Sequence, residues 1–250
     1  MAISNEFYLR RLHSLTGVLM GLFLFNHFLT NSFIFFGRDS FNHKVHLIHS
    51  IPGLLLLEIA LVAAPFIFHG AYGLYIMMNG KQNLQHYRYT RNNMYTIQRL
   101  TAAILTAFIV WHVLELRFYV SMLVDHYTKE SHEFVLGAKF YDYLVIKFES
   151  PLFVLGYLVG VASAIVHWAN GICTFCMSWG ITVGPRSQKM MAGFAVGVAL
   201  LYTLMIGAGI FGLIFPPDAA QPILELNLYP TNWEPQTISA ATPFAPGQLL

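Results

Sequence analysis

Residues 151–179 read PLFVLGYLVGVASAIVHWANGICTFCMSW, 29 residues without an Asp, Glu, Lys or Arg. A helix needs roughly 20 predominantly apolar residues to cross about 30 Å of hydrocarbon, so this segment reads as a bilayer span. Ser150 directly before Pro151 supplies its start signal, and Gly180 its stop. Working outward, four more stretches have the same character, at about 12–36, 51–78, 98–122 and 190–215. Ser50 ahead of Pro52 marks a helix start, and Asn79-Gly80 a helix end. The apolar run behind Arg10 and Arg11 is too long for a signal-peptide core and has no small-residue cleavage site, so it reads as a retained first helix. The expected fold is an all-α membrane protein with five transmembrane helices. Residues 1–215 form its membrane domain, and residues 216–250 an outer tail holding seven of the eleven prolines and no Lys or Arg.

The composition of the 250 residues agrees, with 56% hydrophobic and only 10% charged, where a soluble domain has about a quarter charged. Disordered, collagen-like and disulfide-framework classes are excluded. A net charge of +2, with the basic residues dispersed, gives no footprint for nucleic acid. Cys173 and Cys176 are too few for an iron–sulfur cluster built from this chain alone. No His follows their C-x-x-C spacing, so it is not a c-type haem signal, and both read as apolar packing residues. Arg10, Arg11, Lys81, Arg88, Arg91, Arg99, Arg186 and Lys189 fall on one side of the membrane. Asp39, Asp125, Glu130, Glu133, Asp142 and Glu149 fall on the other. That bias places the N-terminus inside and the C-terminus outside.

Histidine stands out, with eleven in the chain. Four lie at membrane depth, where ionisable residues are costly and usually functional: His27, His69, His112 and His167, one on each of the first four spans. From hydrocarbon entry near Leu15 and Thr101, His27 and His112 lie 12 and 11 residues in, roughly 17 Å from the inner boundary at about 1.5 Å per residue. From Leu54 and Leu152, His69 and His167 both lie 15 residues in, about 22 Å from the outer boundary. Each pair therefore shares a level. An internal repeat supports the pairing. His69-Gly-Ala-Tyr-Gly73 matches His167-Trp-Ala-Asn-Gly171, and Thr16, Phe23 and His27 match Thr101, Phe108 and His112 at identical spacing. Two histidines at one depth on different helices suit axial ligation of a haem iron, and four-helix bundles build cofactor sites from facing helices. Gly17, Gly21, Gly73, Gly171 and Ala102 would let a flat macrocycle approach the backbone. The first four helices are thus expected to form a haem-binding bundle holding two haem b groups as an electron path between a quinone and a soluble redox partner.

These residues resemble the dihaem cytochrome b anchor of bacterial succinate dehydrogenases and fumarate reductases, the class with a single five-helix membrane subunit. The motifs that carry the resemblance are RRLHSLTG at 10–17, FHGAYGLY at 68–75, QRLTA and WHVLE within 98–115, and WGITVGPRSQK at 179–189. The resemblance implies that His27 and His112 hold an outer, low-potential haem, and His69 and His167 an inner, high-potential one. It also implies partner subunits on the inner face, a flavoprotein carrying FAD and an iron–sulfur protein, and residence in the bacterial inner membrane. The basic stretch 80–99 would be their docking surface, or else an ordinary positive-inside loop. Where the fumarate reductases of this class have a glutamate two residues before the ligand on helix four, this chain has Ile165. That departure puts the transmembrane proton route in doubt and favours the succinate dehydrogenase direction.

A quinone site needs a titratable group near a haem edge. Glu58 within the second span is one candidate, and His43, His46 and His49 in the first outer loop are another; menaquinone is the leading quinone. His13, Ser14, Arg11 and Arg99 lie near the inner boundary, where charge-assisted hydrogen bonds to haem propionates would form. Two other readings stay open. One is the dihaem cytochrome of a formate dehydrogenase, hydrogenase or nitrate reductase. The other is a haem-free transporter with a histidine proton relay, for which a kink at Pro65 is the one supporting feature.

Overall fold

A computed structural model describes residues 5–81, 86, 89–120 and 134–218. Arg88, the acids Asp125, Glu130 and Glu133, and the tail from residue 219 lie outside the described residues. Helix α1 (Asn5–Ser32) ends in a 3-10 turn at Phe33–Phe36. It is followed by α2 (Arg38–His49), α3 (Leu54–Asn79) and α4 (Thr90–Val113), the last continuing as a π-helical stretch at Leu114–Val120. Then come α5 (Phe134–Lys147), α6 (Pro151–Ser178) and α7 (Pro185–Ile214). No strand occurs among the described residues. Five helices, α1, α3, α4, α6 and α7, are long and apolar enough to cross a membrane.

The spans extend beyond the apolar runs that announce them. Helix α1 starts at Asn5, α4 at Thr90 and α7 at Pro185, because helical hydrogen bonding continues through polar first turns such as NEFYLRR that lie in the interface. Ser50 does not open the second span. Its amide donates to the His46 carbonyl and its hydroxyl to that of Leu47, so it closes α2, and α3 begins after the left-handed Gly53. Ser150 does precede α6 in extended conformation, without a side-chain cap. Within α3 the residues Ile59–Ala63 are π-helical, directly ahead of Pro65. Proline has no amide to give the carbonyl four residues back, and widening by one residue absorbs the mismatch.

Helix α1 packs on α3, α4 packs on α6, and lighter contacts join α3 to α4 and α1 to α6. These four surround a common axis. Helix α7 lies outside them against α1 and α6. It is seated by a small core of Phe28, Val161, Ile165 and Tyr202, with the Tyr202 hydroxyl donating to the Gly21 carbonyl at 3.1 Å. A β-carbon on Gly209 would stand 2.6 Å from the Asn31 carbonyl oxygen, so glycine there sets how closely α7 meets the end of α1. Leu56, Ile67, Leu152, Phe194 and Leu204 point outward. An apolar exterior of that kind belongs against lipid.

The connections after α1 and α4 fold into a cap at one end of the bundle, where α2 packs on α5. Phe41, Tyr141, Leu144, Val145 and Phe148 are its buried core, joined by Ile34, Tyr157, Ile210 and Leu213 from the spanning helices and the turn after α1. Arg38 Nη2 donates to Asp142 Oδ1 at 2.6 Å, and the guanidinium lies over the Tyr141 ring. Asp218, just past α7, accepts the Arg38 amide at 2.6 Å and so caps the start of α2. Burial works against the Arg38 charge, yet the Asp142 hydrogen bond and nearby carboxylates hold its pKa above the ordinary value.

Candidate functional site

The bundle axis is lined by two facing histidine pairs. Near the capped end, the rings of His27 on α1 and His112 on α4 have centroids 5.8 Å apart and planes at 87°. Toward the other end, His69 on α3 and His167 on α6 stand 6.3 Å apart at 86°. Two imidazoles bound to one metal through Nε2 from opposite sides, with metal–nitrogen bonds of about 2.0 Å, have centroids about 6–6.5 Å apart. Both pairs lie near that spacing. Among the described residues no group of three or more His, Cys, Asp or Glu could hold a metal ion.

The other ring nitrogens make the second test. A metal-binding histidine directs its remaining N–H to a carbonyl or similar acceptor, which fixes the tautomer and the ring angle. His69 Nδ1 lies 2.9 Å from the His13 carbonyl oxygen and His167 Nδ1 lies 3.2 Å from that of Gln98. His112 Nδ1 lies 3.1 Å from the Tyr157 hydroxyl. With the Nδ1 proton donated, Nε2 is left as the basic nitrogen of each ring. Gln98 Nε2 also comes within 3.4 Å of His167 Nε2, at the long limit of a hydrogen bond. The Gln98 amide is itself held by Asn170, whose Nδ2 donates to Gln98 Oε1 at 2.7 Å. Phe23 stacks on His27 and Phe108 on His112, one helical turn before each histidine.

The glycines do not all face the axis. Gly17 lies against the His69 ring, Gly21 against Trp168 and Gly73 against His13, while Gly171 is in ordinary contact with Gln98. His13 stacks on His69 with centroids 4.0 Å apart, and its own Nδ1 is buried with no hydrogen-bond partner among the described residues. Arg11 Nη1 donates to the Ser178 carbonyl at 2.6 Å, and Trp179 Nε1 donates to Ser14 Oγ at 2.9 Å. Arg99 donates to the carbonyls of Ile76 and Gly80. These residues thus tie the ends of α3 and α6 to α4 and α1, on the same side as the His69–His167 pair.

Glu58 stands half-exposed near the start of α3 and pairs with Arg117 of the π-helical stretch at 3.3 Å. His43, His46 and His49 lie on α2, with His49 Nδ1 2.9 Å from the Val45 carbonyl oxygen. That helix packs on α5 and the end of α1. Cys176 is buried on α6 and Cys173 is half-buried, its thiol 3.9 Å from the Met191 carbonyl oxygen, in keeping with a packing role. Of Tyr157, Gln98 and Asn170, which orient the histidines, Gln98 is marked in the sequence only by its place in QRLTA, one turn before Thr101, and Asn170 only by its place in the His167–Gly171 repeat; Tyr157 has no mark.

No protein-family model matches the chain. Among known proteins, the chain is 39% identical over 192 residues to the succinate dehydrogenase cytochrome b558 subunit of Bacillus subtilis (strain 168). The matched region covers 76% of this chain and 88% of that relative.

Proposed function

Because the chain belongs to the family of succinate dehydrogenase cytochrome b558 subunits, we propose that it is the membrane anchor and electron-transfer subunit of a succinate:quinone oxidoreductase. Its five apolar helices make it a multi-pass protein of the bacterial inner membrane. The observation that supports the reading is the pair of facing histidine couples on four helices, each at a metal-bridging distance with perpendicular rings. Two b haems, held one by His27 and His112 and the other by His69 and His167, supply a one-electron path between the iron–sulfur partner and a membrane quinone. All other contributions are the chain's own. His13 and the guanidiniums of Arg11 and Arg99 would hold carboxylates at the inner end, with Ser14 accepting from Trp179 beside them.

The N-terminus lies inside, the cap formed by α2 and α5 lies outside, and the proline-rich segment 216–250 continues on that outer side. Succinate chemistry belongs to a flavoprotein partner with FAD, docked with an iron–sulfur protein on the inner face near 80–99. Glu58, oriented by Arg117, exchanges protons with a quinone at the outer end, with the α2 histidines as the second candidate set. The quinone is menaquinone and the direction is succinate oxidation, favoured by Ile165 where the fumarate reductases have a glutamate. The deciding experiment is anaerobic addition of succinate to the purified complex. Reduction of the b-type absorption bands supports the function. Bands that stay oxidised with succinate, but are reduced by formate or hydrogen in a preparation rich in molybdenum or nickel, would assign the chain to another quinone-linked dehydrogenase.

A further inference from the structure

The two histidine pairs are oriented by different kinds of acceptor. Both histidines of the His69–His167 pair direct Nδ1 to main-chain carbonyls, with the Thr16 hydroxyl at a longer 3.4 Å from His69 Nδ1. At the capped end, His112 instead meets the phenol of Tyr157, a side chain from a different helix. The Tyr157 ring is buried and fixed by aromatic contacts with Phe108, Trp111, Phe148 and Phe153. Its hydroxyl therefore keeps a set position in the cap core. When Nε2 of His112 is the metal-binding nitrogen, Nδ1 carries the proton and the phenol oxygen must be the acceptor.

A carboxylate lies at the edge of the same core. Glu115 follows His112 by three residues, in the π-helical stretch after α4, and accepts from the hydroxyl of Tyr143, which shares the buried cluster of Tyr157; its charge acts on the Tyr157 phenol. It is held in place by the Tyr143 hydroxyl and by Lys147 Nζ at 3.4 Å, both from α5. A negative charge near the phenol strengthens its oxygen as an acceptor, and a stronger acceptor at Nδ1 pushes electron density onto the imidazole. That electron density favours the ferric over the ferrous state of a ligated iron, which lowers its reduction potential. At the other pair the Nδ1 acceptors are neutral peptide oxygens, and the side chains within reach, Thr16 Oγ1 at 3.4 Å from His69 Nδ1 and the Gln98 amide at 3.4 Å from His167 Nε2, are uncharged.

We propose that Tyr157, backed by Glu115 of the α4–α5 contact, is a positioning residue that holds His112 and sets the haem of the capped end at the lower potential of the two. The proposal rests on the two-haem reading of the histidine pairs. It ties the redox poise of the outer end to the docking of α5, since Tyr143 and Lys147 are what fix Glu115.

The test is a redox titration of the whole complex, with each haem followed by its optical band and by low-temperature paramagnetic resonance of its ferric state. Haem content is measured first, and a wild-type complex without two haems fails the two-haem reading itself. With two present, Tyr157→Phe should keep both and raise the ferrous-to-ferric ratio of the capped-end haem at fixed ambient potential. The rise should be roughly two- to tenfold, the range that loss of one hydrogen bond converts to. The other haem should titrate as before. Equal shifts in both haems, or none, overturn the proposal. If the phenylalanine variant does not retain the capped-end haem, Glu115→Gln carries the test, since the phenol stays and its carboxylate goes. A raised ferrous fraction confined to that haem then supports the proposal, and an unchanged ratio overturns it.

Discussion

Replacing Gly17 with alanine tests how tightly α1 and α3 are built around the His69 ring. The added methyl would stand 2.9 Å from His69 Cε1 and 3.4 Å from Nδ1, where carbon atoms in contact prefer about 3.5–4.0 Å. The ring must retreat by about 0.6 Å or more. The retreat strains the 2.9 Å bond from Nδ1 to the His13 carbonyl and the stacking on His13. Overpacking of this kind costs about 1–3 kcal/mol and loss of the hydrogen bond about 0.5–1.5 kcal/mol more, together near 3 kcal/mol at the site. Alanine meanwhile favours the helix over glycine by about 0.5–1 kcal/mol, so the melting temperature is a poor readout and haem retention a good one. At about 1.4 kcal/mol per tenfold, the haem held by His69 and His167 should be retained roughly a hundredfold more weakly. Haem transfer to an excess of a scavenging apoprotein, resolved by optical band, measures this directly. The capped-end haem should leave at the wild-type rate. If both haems leave Gly17→Ala as slowly as wild type, the packing argument is wrong.

Further substitutions probe other parts of the structure. His69→Leu or His167→Leu should remove one haem and His27→Leu or His112→Leu the other, so haem per chain falls by half in each case; full retention in any of them rejects the pairing. Glu58→Gln should slow quinone turnover in the complex while both haem spectra persist, and unchanged turnover rejects Glu58 as the proton carrier. Asp142→Asn keeps the oxygen 2.6 Å from the Arg38 guanidinium, which is only 18% exposed, but removes its charge. With Asp218 still close, that should cost about 1–2 kcal/mol of cap stability, seen as a lower melting temperature in detergent, and an unchanged melt would show that the charge of Asp142 contributes nothing.

Apolar run length made the five spans legible, because a stretch such as 151–179 has no other way to be solvated. Their ends were less so, since interfacial turns such as Asn5–Arg11 and 90–97 are polar yet helical. The cap was missed. Its helices are short and mixed in polarity, and their signal is only a stripe, Phe41, Val45 and Ile48 on α2 and Tyr141, Leu144 and Val145 on α5 with Phe148 just past its end, at helical spacing. That stripe becomes meaningful once the two helices meet. The four membrane-depth histidines were legible by depth and repeat because an unpaired imidazole in hydrocarbon is costly. What orients them was not. Main-chain carbonyls at His13 and Gln98 have no sequence signature, and Tyr157 looks like any aromatic in an apolar helix. The contact of Asp218 with the Arg38 amide spans 180 residues, beyond any local pattern.

The central claim is that four histidines hold two haems, and haem content tests it most directly. A reduced-minus-oxidised spectrum with a pyridine haemochrome assay on the purified protein should give two haem b per chain. A preparation that folds and carries no haem would contradict the claim and leave the histidines to be explained as a proton relay.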